Sequence, residues 1–400
     1  VTSSAAASSQ EAGAAPARIF LVAGEPSGDR LGAQLMAALK RRLGAVAFSG
    51  IGGEAMAGEG LRSLFPMREL TLMGFAEVLP HLPRLVRRLR QTAATIRQDR
   101  PDLVVTIDSP GFNGRLLDRL RGSGVATAHY GAPAIWAWRP GRLRRWVGRM
   151  DRLLAILPFE PPLFTAAGID CRYVGHPVLE REPVTPDRIR DFRRRLSIAD
   201  GAPVVALLPG SRRGELQHIL PVLKETAARL QREEPRLHFL VPTLPQLAAA
   251  LRSAFASWQR PPLLIETEAG RQEALAVADL ALAASGTVTL ELAAAGTPMV
   301  IVYRTGLISA AIIRRWALVR YAGLPNLLLD RPLVPEFLQE RCEPDALVKA
   351  ALTLLRDPAA GAAQKAGFRE IMARLAIEGR PSERAASLLA ELLARPAPRL

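Results

Sequence analysis

Three glycine-bearing loops carry side chains that could do chemistry, and each directly follows an apolar run. The first, Gly24-Glu25-Pro26-Ser27-Gly28-Asp29, follows Ile19–Ala23 and opens a helical pattern. A glycine-rich turn at a helix start presents backbone N–H groups and the positive end of the helix dipole, which suits an anion. Ser27 or Asp29 would equally serve to cap that helix. Glu25 is harder to assign to a cap, because it sits where a carboxylate would face a cleft at the strand end. The loop is not G-x-G-x-x-G and has no P-loop lysine, so neither a dinucleotide enzyme nor a Walker ATPase is indicated.

The second loop, Pro209-Gly210-Ser211-Arg212-Arg213-Gly214-Glu215, adds a hydroxyl and two guanidinium groups to another helix start. That combination suits a diphosphate, since amides bind the oxygens and arginine neutralises the charge. A structural loop with solvent-facing arginines is the alternative. The third, Ala284-Ser285-Gly286-Thr287, leads to Glu291 one turn into an apolar helix. An unpaired buried carboxylate is costly, so Glu291 is expected either to accept hydrogen bonds from ligand hydroxyls or to meet the helix dipole.

Asp108-Ser109-Pro110-Gly111-Phe112-Asn113 ends the run Leu103–Ile107. An aspartate there is an N-cap or a general base, and the pattern leaves both open. No D-x-D pair occurs, so paired carboxylates holding a divalent metal are not suggested. The stretch His129–Arg139 holds Trp136 and Trp138, two of the five tryptophans, and precedes Arg142, Arg144, Arg145 and Arg149. Core tryptophans at a domain junction would look the same. His176, in Gly175-His176-Pro177, is open between a structural and a catalytic role. Leu70–Pro80 is densely apolar and runs into Leu82, Leu85, Val86 and Leu89 interleaved with Arg84, Arg87, Arg88 and Arg90. It reads as an interfacial segment beside anionic lipid, or as a buried helix with a basic outer face.

The elements that must position these groups follow from the rest of the pattern. Four hundred residues give room for two or three domains at about 150 residues each. Apolar residues at 49% and charged ones at 23% are those of a globular chain. The formal charge is 53 − 38 = +15, and only four bases are lysine. Arginine suits phosphate and carboxylate, although codon bias yields the same excess. Cys171 and Cys342 lie far apart without metal-ligand spacing, which excludes a disulfide scaffold and a zinc ribbon. Residues 1–16 read as a disordered Ala/Ser-rich leader without a secretory signal. The longest low-charge stretch, Leu280–Tyr303, contains Glu291 and Pro298, so a spanning helix is not expected.

Short apolar runs alternate with amphipathic stretches. Strands are expected at Ile19–Ala23, Val46–Ile51, Leu103–Ile107, Val125–Tyr130, Leu153–Leu157 and Cys171–Val174. After a charged, proline-bearing gap at Glu180–Arg188 come Val204–Leu208, Leu237–Val241, Leu263–Glu266, Asp279–Ala283 and Met299–Tyr303. Wholly apolar strands alternating with helices argue for parallel sheets covered on both faces. The expected organisation is a leader to 16, one doubly wound α/β domain over 17–180 and a second over 181–370. Strandless helices over 371–400 must pack on the first domain or on a partner chain. Two such domains face a cleft at their strand carboxyl ends, where ligands bind in open α/β sheets.

Together the motifs resemble the lipid-A-disaccharide synthase family. G-E-P-S-G-D at 24–29, I-D-S-P-G-F-N at 107–113, H-Y-G-A-P-A-I-W-A-W-R at 129–139 and L-P-F-E at 157–160 carry the likeness. G-H-P at 175–177, L-L-P-G-S-R at 207–212, A-S-G-T-V-T-L-E at 284–291 and L-P-N-L-L at 324–328 continue it in register. The resemblance implies a GT-B fold, with two Rossmann-like domains and the nucleotide held mainly by the second. It implies transfer from UDP-2,3-diacylglucosamine to 2,3-diacylglucosamine 1-phosphate (lipid X), giving the β-1,6-linked disaccharide 1-phosphate and UDP in lipopolysaccharide synthesis of a Gram-negative bacterium. Inversion needs a base for the acceptor hydroxyl and stabilisation of the departing UDP.

Carried over by motif, Asp108 is the favoured base and Glu25 its rival or helper. Gly210, Ser211, Arg212, Ser285, Gly286 and Thr287 would hold the diphosphate, Glu291 the ribose or sugar, and Asn326 would line the donor site. Ser27, Asn113, His129, Trp136 and Arg139 would line the cleft on the acceptor side. Leu72, Met73, Phe75, Val78, Leu79 and Leu82 would meet the membrane. The UDP-sugar is a substrate, and no cofactor or metal is implied. Gly111 departs from the family, whose members usually carry an acidic residue there. The expected location is the cytoplasmic face of the inner membrane, held peripherally on its anionic surface, with a homodimer left open. The rival readings are another GT-B enzyme, such as a peptidoglycan-precursor transferase or UDP-N-acetylglucosamine 2-epimerase, and a basic nucleic-acid binder. No nucleic-acid motif appears, and the arginines are spread rather than striped.

Overall fold

The structure, a computed structural model, describes residues 15–70, 82–138, 140–306, 310, 314–315 and 318–394. The first sheet contains β1 (Ala17–Ala23), β2 (Val46–Ile51), β3 (Arg62–Ser63), β4 (Leu103–Ile107), β5 (Ala126–Tyr130), β6 (Arg152–Ala155) and β7 (Cys171–Tyr173). Its order is β3-β2-β1-β4-β5-β6-β7, all parallel. The second contains β8 (Val204–Leu208), β9 (His238–Pro242), β10 (Leu263–Ile265), β11 (Leu280–Ala284), β12 (Met299–Tyr303) and β13 (Glu336–Leu338). Its order is β10-β9-β8-β11-β12-β13, again all parallel. These are two Rossmann-like sheets, as the alternation of apolar runs and helices requires. β3 and β13 escaped the sequence pattern because each is a two- or three-residue edge strand, too short for an apolar run.

β4, β8 and β11 are buried along their whole length, so helices cover both faces and the apolar runs need no polar alternation. Each sheet reverses its strand order at one seam, between β1 and β4 in the first and between β8 and β11 in the second. At those seams Ala23 pairs with Ile107 and Leu208 with Ala283. The residues that follow therefore leave each sheet side by side, at the switch points where such folds bind ligands.

The terminal helices divide between the two bodies. Helix Pro344–Arg356 contributes Leu347 and Ala351, and helix Pro358–Leu375 contributes Phe368, Ile371 and Leu375, to the core of the second sheet. Helix Pro381–Leu393 instead places Ala385, Ala386, Leu389 and Leu392 against Leu35 and Leu39 of helix Pro26–Leu43. Arg152, fully buried, ties it down by donating to the Leu388 carbonyl at 2.7 Å and pairing with Glu391 at 3.3 Å and Asp170 at 3.0 Å. The chain thus passes between the bodies twice. The two passages touch, with Ser382 donating its amide to Glu180 at 2.5 Å. Gly175 lies there at φ +91°, and a Cβ on it would stand 2.8 Å from Ile377. Only glycine fits that conformation and that approach.

Candidate active site

On the first body, Gly24 brings the two switch-point loops into contact. A Cβ at this position would lie 2.5 Å from the Ser109 hydroxyl, so a larger residue would push the loops apart. Glu25 takes the N-cap position of helix Pro26–Leu43 in an extended conformation, yet its side chain makes no cap. Its side chain is only 13% exposed, one carboxylate oxygen is buried without a hydrogen-bond partner among the described residues, and the other lies 3.4 Å from the Arg212 guanidinium of the opposite body. Burial raises its pKa above the ordinary carboxylate value; Arg212 pulls it down and the neighbouring Asp108 pushes it further up. Asp108 is half-buried at φ +48°. Its pKa is also raised by burial, against the Ser109 amide and Arg212. Arg212 thus pairs with Glu25 and lowers the pKa of both carboxylates across the cleft, while burial is what raises them.

On the second body, the same loop plan is filled differently. Glu215 turns back and accepts from the amides of Ser211 at 2.9 Å and Arg212 at 3.3 Å. It also stands 3.4 Å from the Arg212 guanidinium. Those two amides, expected to bind a diphosphate, are taken by the protein's own carboxylate; an anion there meets the half-exposed Arg212 side chain instead. Gly210, at φ +110°, packs against Glu215, where a Cβ would overlap the carboxylate at 2.3 Å. The Ser285 hydroxyl donates its single proton to the Ala322 carbonyl at 2.7 Å, so it is left as an acceptor only. Gly286 and Thr287 are exposed at the start of helix Val288–Ala295.

Glu291 is not an unpaired carboxylate. Its oxygens lie 3.2 Å from Arg181 and 2.6 Å from Arg271, and those arginines also approach Glu268, itself 3.6 Å from Arg30 of the first body. Asn326 does not line the donor site either. It is buried and spends its amide inside the protein, donating to Val334 O and Glu336 at 2.8 Å each and accepting from Val334 N at 2.8 Å. Glu336 in turn accepts from the amides of Ala322 and Gly323, both at 2.9 Å. Asn326 thereby supports, at one remove, the carbonyl that holds Ser285.

Several other expected cleft residues lie elsewhere. His129 is fully buried, 2.8 Å from the Thr106 hydroxyl and 5.1 Å from the Trp146 ring; burial lowers its pKa to about 3. It is a neutral core residue, since β5 turns this position inward. Asn113 is fully buried too, beneath the Asp108 turn. Ser27 is exposed at the mouth of the first loop. Trp136 belongs to the short helix Ile135–Trp138, while its side chain and the whole of Arg139 fall outside the described residues. Asp29 caps a neighbouring helix rather than its own, accepting from the amides of Gly53, Ala55 and Met56. Glu160 accepts from the amides of Ile156 and Leu157, and His176 from Val178, with the His176 pKa pushed down to about 4 by burial. Leu72, Met73, Phe75, Val78 and Leu79 lie outside the described residues; Leu82 is 44% exposed. No three of His, Cys, Asp and Glu come together as a metal-holding group among the described residues.

The family model for lipid-A-disaccharide synthetase matches residues 19–390. The chain belongs to this family. It is 48% identical to the lipid-A-disaccharide synthase of Rhodospirillum centenum over 95% of this chain and 96% of the relative. It is 45% identical to that of Paramagnetospirillum magneticum over 94% and 97%. Among solved structures it resembles UDP-GlcNAc 2-epimerase from Neisseria meningitidis bound to UDP-GlcNAc, with a TM-score of 0.61 at 12% identity over 94% of this chain and 98% of the other. Anabaena Alr3699/HepE in complex with UDP and glucose follows at a TM-score of 0.57 and 14% identity over 95% and 100%. At such identities the likeness shows the GT-B fold alone. The epimerase alternative therefore keeps the fold and loses the chemistry to the lipid-A-disaccharide synthetase family.

Within that family frame, the residues that sequence reasoning missed are Arg181, Arg271, Glu215 as a cap, and Glu336. Arg181 lies in a charged gap that reads as a linker. Glu336 recognises backbone amides, which leave no mark in a sequence.

Proposed function

We propose that the chain transfers the 2,3-diacylglucosaminyl group from its UDP donor to the 6-hydroxyl of 2,3-diacylglucosamine 1-phosphate. The observation that carries this, beside family membership, is the meeting of Glu25, Asp108 and Arg212 at facing switch points. Asp108 takes the proton from the acceptor hydroxyl as the oxygen attacks the anomeric carbon. The bond from that carbon to the UDP oxygen breaks, with inversion, and its electron pair leaves with UDP. Asp108 is favoured over Glu25 because Glu25 is paired with Arg212 at 3.4 Å, whereas Asp108 forms no ion pair among the described residues. Arg212 neutralises charge on the departing diphosphate, assisted by the exposed start of helix Val288–Ala295 at Gly286 and Thr287. Glu291, its charge held by Arg181 and Arg271, has lone pairs left for the ribose or sugar hydroxyls.

Both substrates carry acyl chains, so the acceptor side needs an apolar entry. Leu82, Pro83, Val86, Arg87 and Arg90 line an open groove of about 450 Å³ on helix Leu82–Asp99, the helix that follows the apolar 72–79 run in sequence. Arg84, Arg87 and Arg90 are exposed there, while Arg88 is committed to Glu69 at 2.6 Å. These features support a peripheral position on an anionic cytoplasmic membrane face. No helix among the described residues is long and apolar enough to cross a membrane. Serine at Leu72, Met73, Phe75 and Leu79 should move protein from the membrane to the soluble fraction; unchanged partitioning would sink the membrane assignment. Helix Pro381–Leu393 completes the first core.

The test is a single assay with both lipid substrates, detergent and EDTA, following acceptor-dependent UDP release and the disaccharide by mass. Disaccharide formed despite the chelator supports transfer without a required divalent metal. UDP-binding protein that forms none would move the assignment to another UDP-sugar.

A further inference from the structure

We propose that Asn113 is the positioning residue for the carboxylate of Asp108. This rests on Asp108 being the base. The argument begins with the backbone. Asp108 and Ser109 stand in succession at φ +48° and +45°, a conformation that residues with a Cβ adopt uncommonly. Neither residue enforces it, and a free chain would relax towards extended or right-handed geometry, swinging the Asp108 side chain off the cleft.

Two contacts hold Asp108 from both sides. Its amide donates to the Tyr130 carbonyl of β5 at 2.9 Å. Its carbonyl accepts from Asn113 Nδ2 at 2.7 Å, and the same nitrogen donates to Ile107 O at 3.1 Å. Fixing the peptide before and the peptide after a residue fixes both of its torsions. β5 supplies the first clamp through ordinary sheet geometry. Asn113, in the first turn of helix Pro110–Leu120, supplies the second through a side chain.

The other end of that amide identifies what the position is for. Asn113 is fully buried, and among the described residues its Oδ1 has no hydrogen-bond partner. An apolar residue of the same size would fill the space without leaving that oxygen orphaned. Turning the amide over would aim the oxygen at two carbonyls. The donor pair on Nδ2 is therefore the property the site retains, and both of its acceptors belong to the turn that aims Asp108.

The test compares Asn113→Ala, Asp108→Asn and the double variant for kcat, KM and UDP affinity. N113A should lose about 10²-fold in kcat, the scale of a misplaced reacting group, with KM and UDP affinity held. The double variant should be no slower than D108N alone, because Asn113 acts only through Asp108. A further 10²-fold loss in the double variant, or an N113A rate near wild type, overturns the proposal and leaves Asp108 as base. A near-wild-type rate for D108N removes the base assignment and this proposal with it. Should N113A fail to fold, Asn113→Asp carries the same comparison. Its rate relative to wild type should rise as pH falls, since a protonated carboxyl regains one donor, and a flat ratio would count against the donor argument.

Discussion

The loops at the ends of β8 and β11 and those at the ends of β1 and β4 share a plan, yet differ in what their polar groups touch. On the β8/β11 side, Glu215 caps its own loop, Glu291 lies between two arginines, Asn326 is saturated and Ser285 gives its proton to Ala322. On the β1/β4 side, buried polar atoms of Glu25 and Asn113 have no hydrogen-bond partner among the described residues, and Asp108 is held in a strained turn. In the second body, among the described residues, Arg271 and Glu291 also have buried atoms without a hydrogen bond, but the two form an ion pair at 2.6 Å. A surface that receives a diphosphate can be finished in advance, because it needs only rigid charge. A group that must take a proton cannot be finished, since a partner would hold its charge and lower its basicity. The difference separates a binding wall from a reacting wall.

The strongest way to break that division is Asp108→Asn, which keeps the shape and removes the base. It should lower kcat/KM by about 10³-fold while UDP still binds, as read by steady-state rates beside calorimetry. A loss confined to UDP affinity would put Asp108 on the wrong wall. Next in size is Arg212→Ala, which removes the group shared by both walls, with an expected loss of about 10²-fold in kcat/KM. Arg212 pulls the raised pKa values of Glu25 and Asp108 back down, so its removal lets both rise further. More base is then protonated at a given pH, and the acid limb of the rate profile of the Arg212 variant should move to higher pH. A limb that stays put would mean the titrating group lies elsewhere.

Smaller effects sharpen the finished wall. Asn326→Ala leaves Val334 and Glu336 short of partners and should cost about 2 kcal/mol of stability. Its thermal midpoint should fall, and kcat should survive at temperatures where the protein is folded. A large kcat loss in folded protein would instead return Asn326 to the donor site. The smallest change concerns Gly111, around which a Cβ would meet nothing within 4 Å. Gly111→Asp should alter stability by no more than about 0.5 kcal/mol and leave UDP affinity unchanged. A marked rise in rate would show that an acidic residue at this position has work to do on the reacting wall.

Much of this was legible in the residues. Apolar runs without alternation specified parallel sheets, and glycine loops after them marked the ligand side, because those signals are local and follow from backbone geometry. Glu25, Asp108 and Arg212 stood out as charged groups directly after buried strands. The same local logic aimed His129 and Asn326 at a ligand and gave Asp29 to its own helix, and it offered no arginine partners for Glu291. Their partners lie elsewhere in the chain: Thr106 for His129, the amides of Gly53, Ala55 and Met56 for Asp29, Val334 and Glu336 for Asn326, and Arg181 and Arg271 for Glu291.

The sequence by itself determined the two sheets, their order of appearance and which loops carry charge, since period and composition act within a few residues of themselves. Only the tertiary structure decided which charges remained free. Burial, the crossing of helix Pro381–Leu393 to the first body, and the approach of Arg212 to Glu25 over 187 positions of chain set the local dielectric and the partners of every carboxylate. Basicity depends on those two quantities, and neither is a property of a residue until the chain has closed around it.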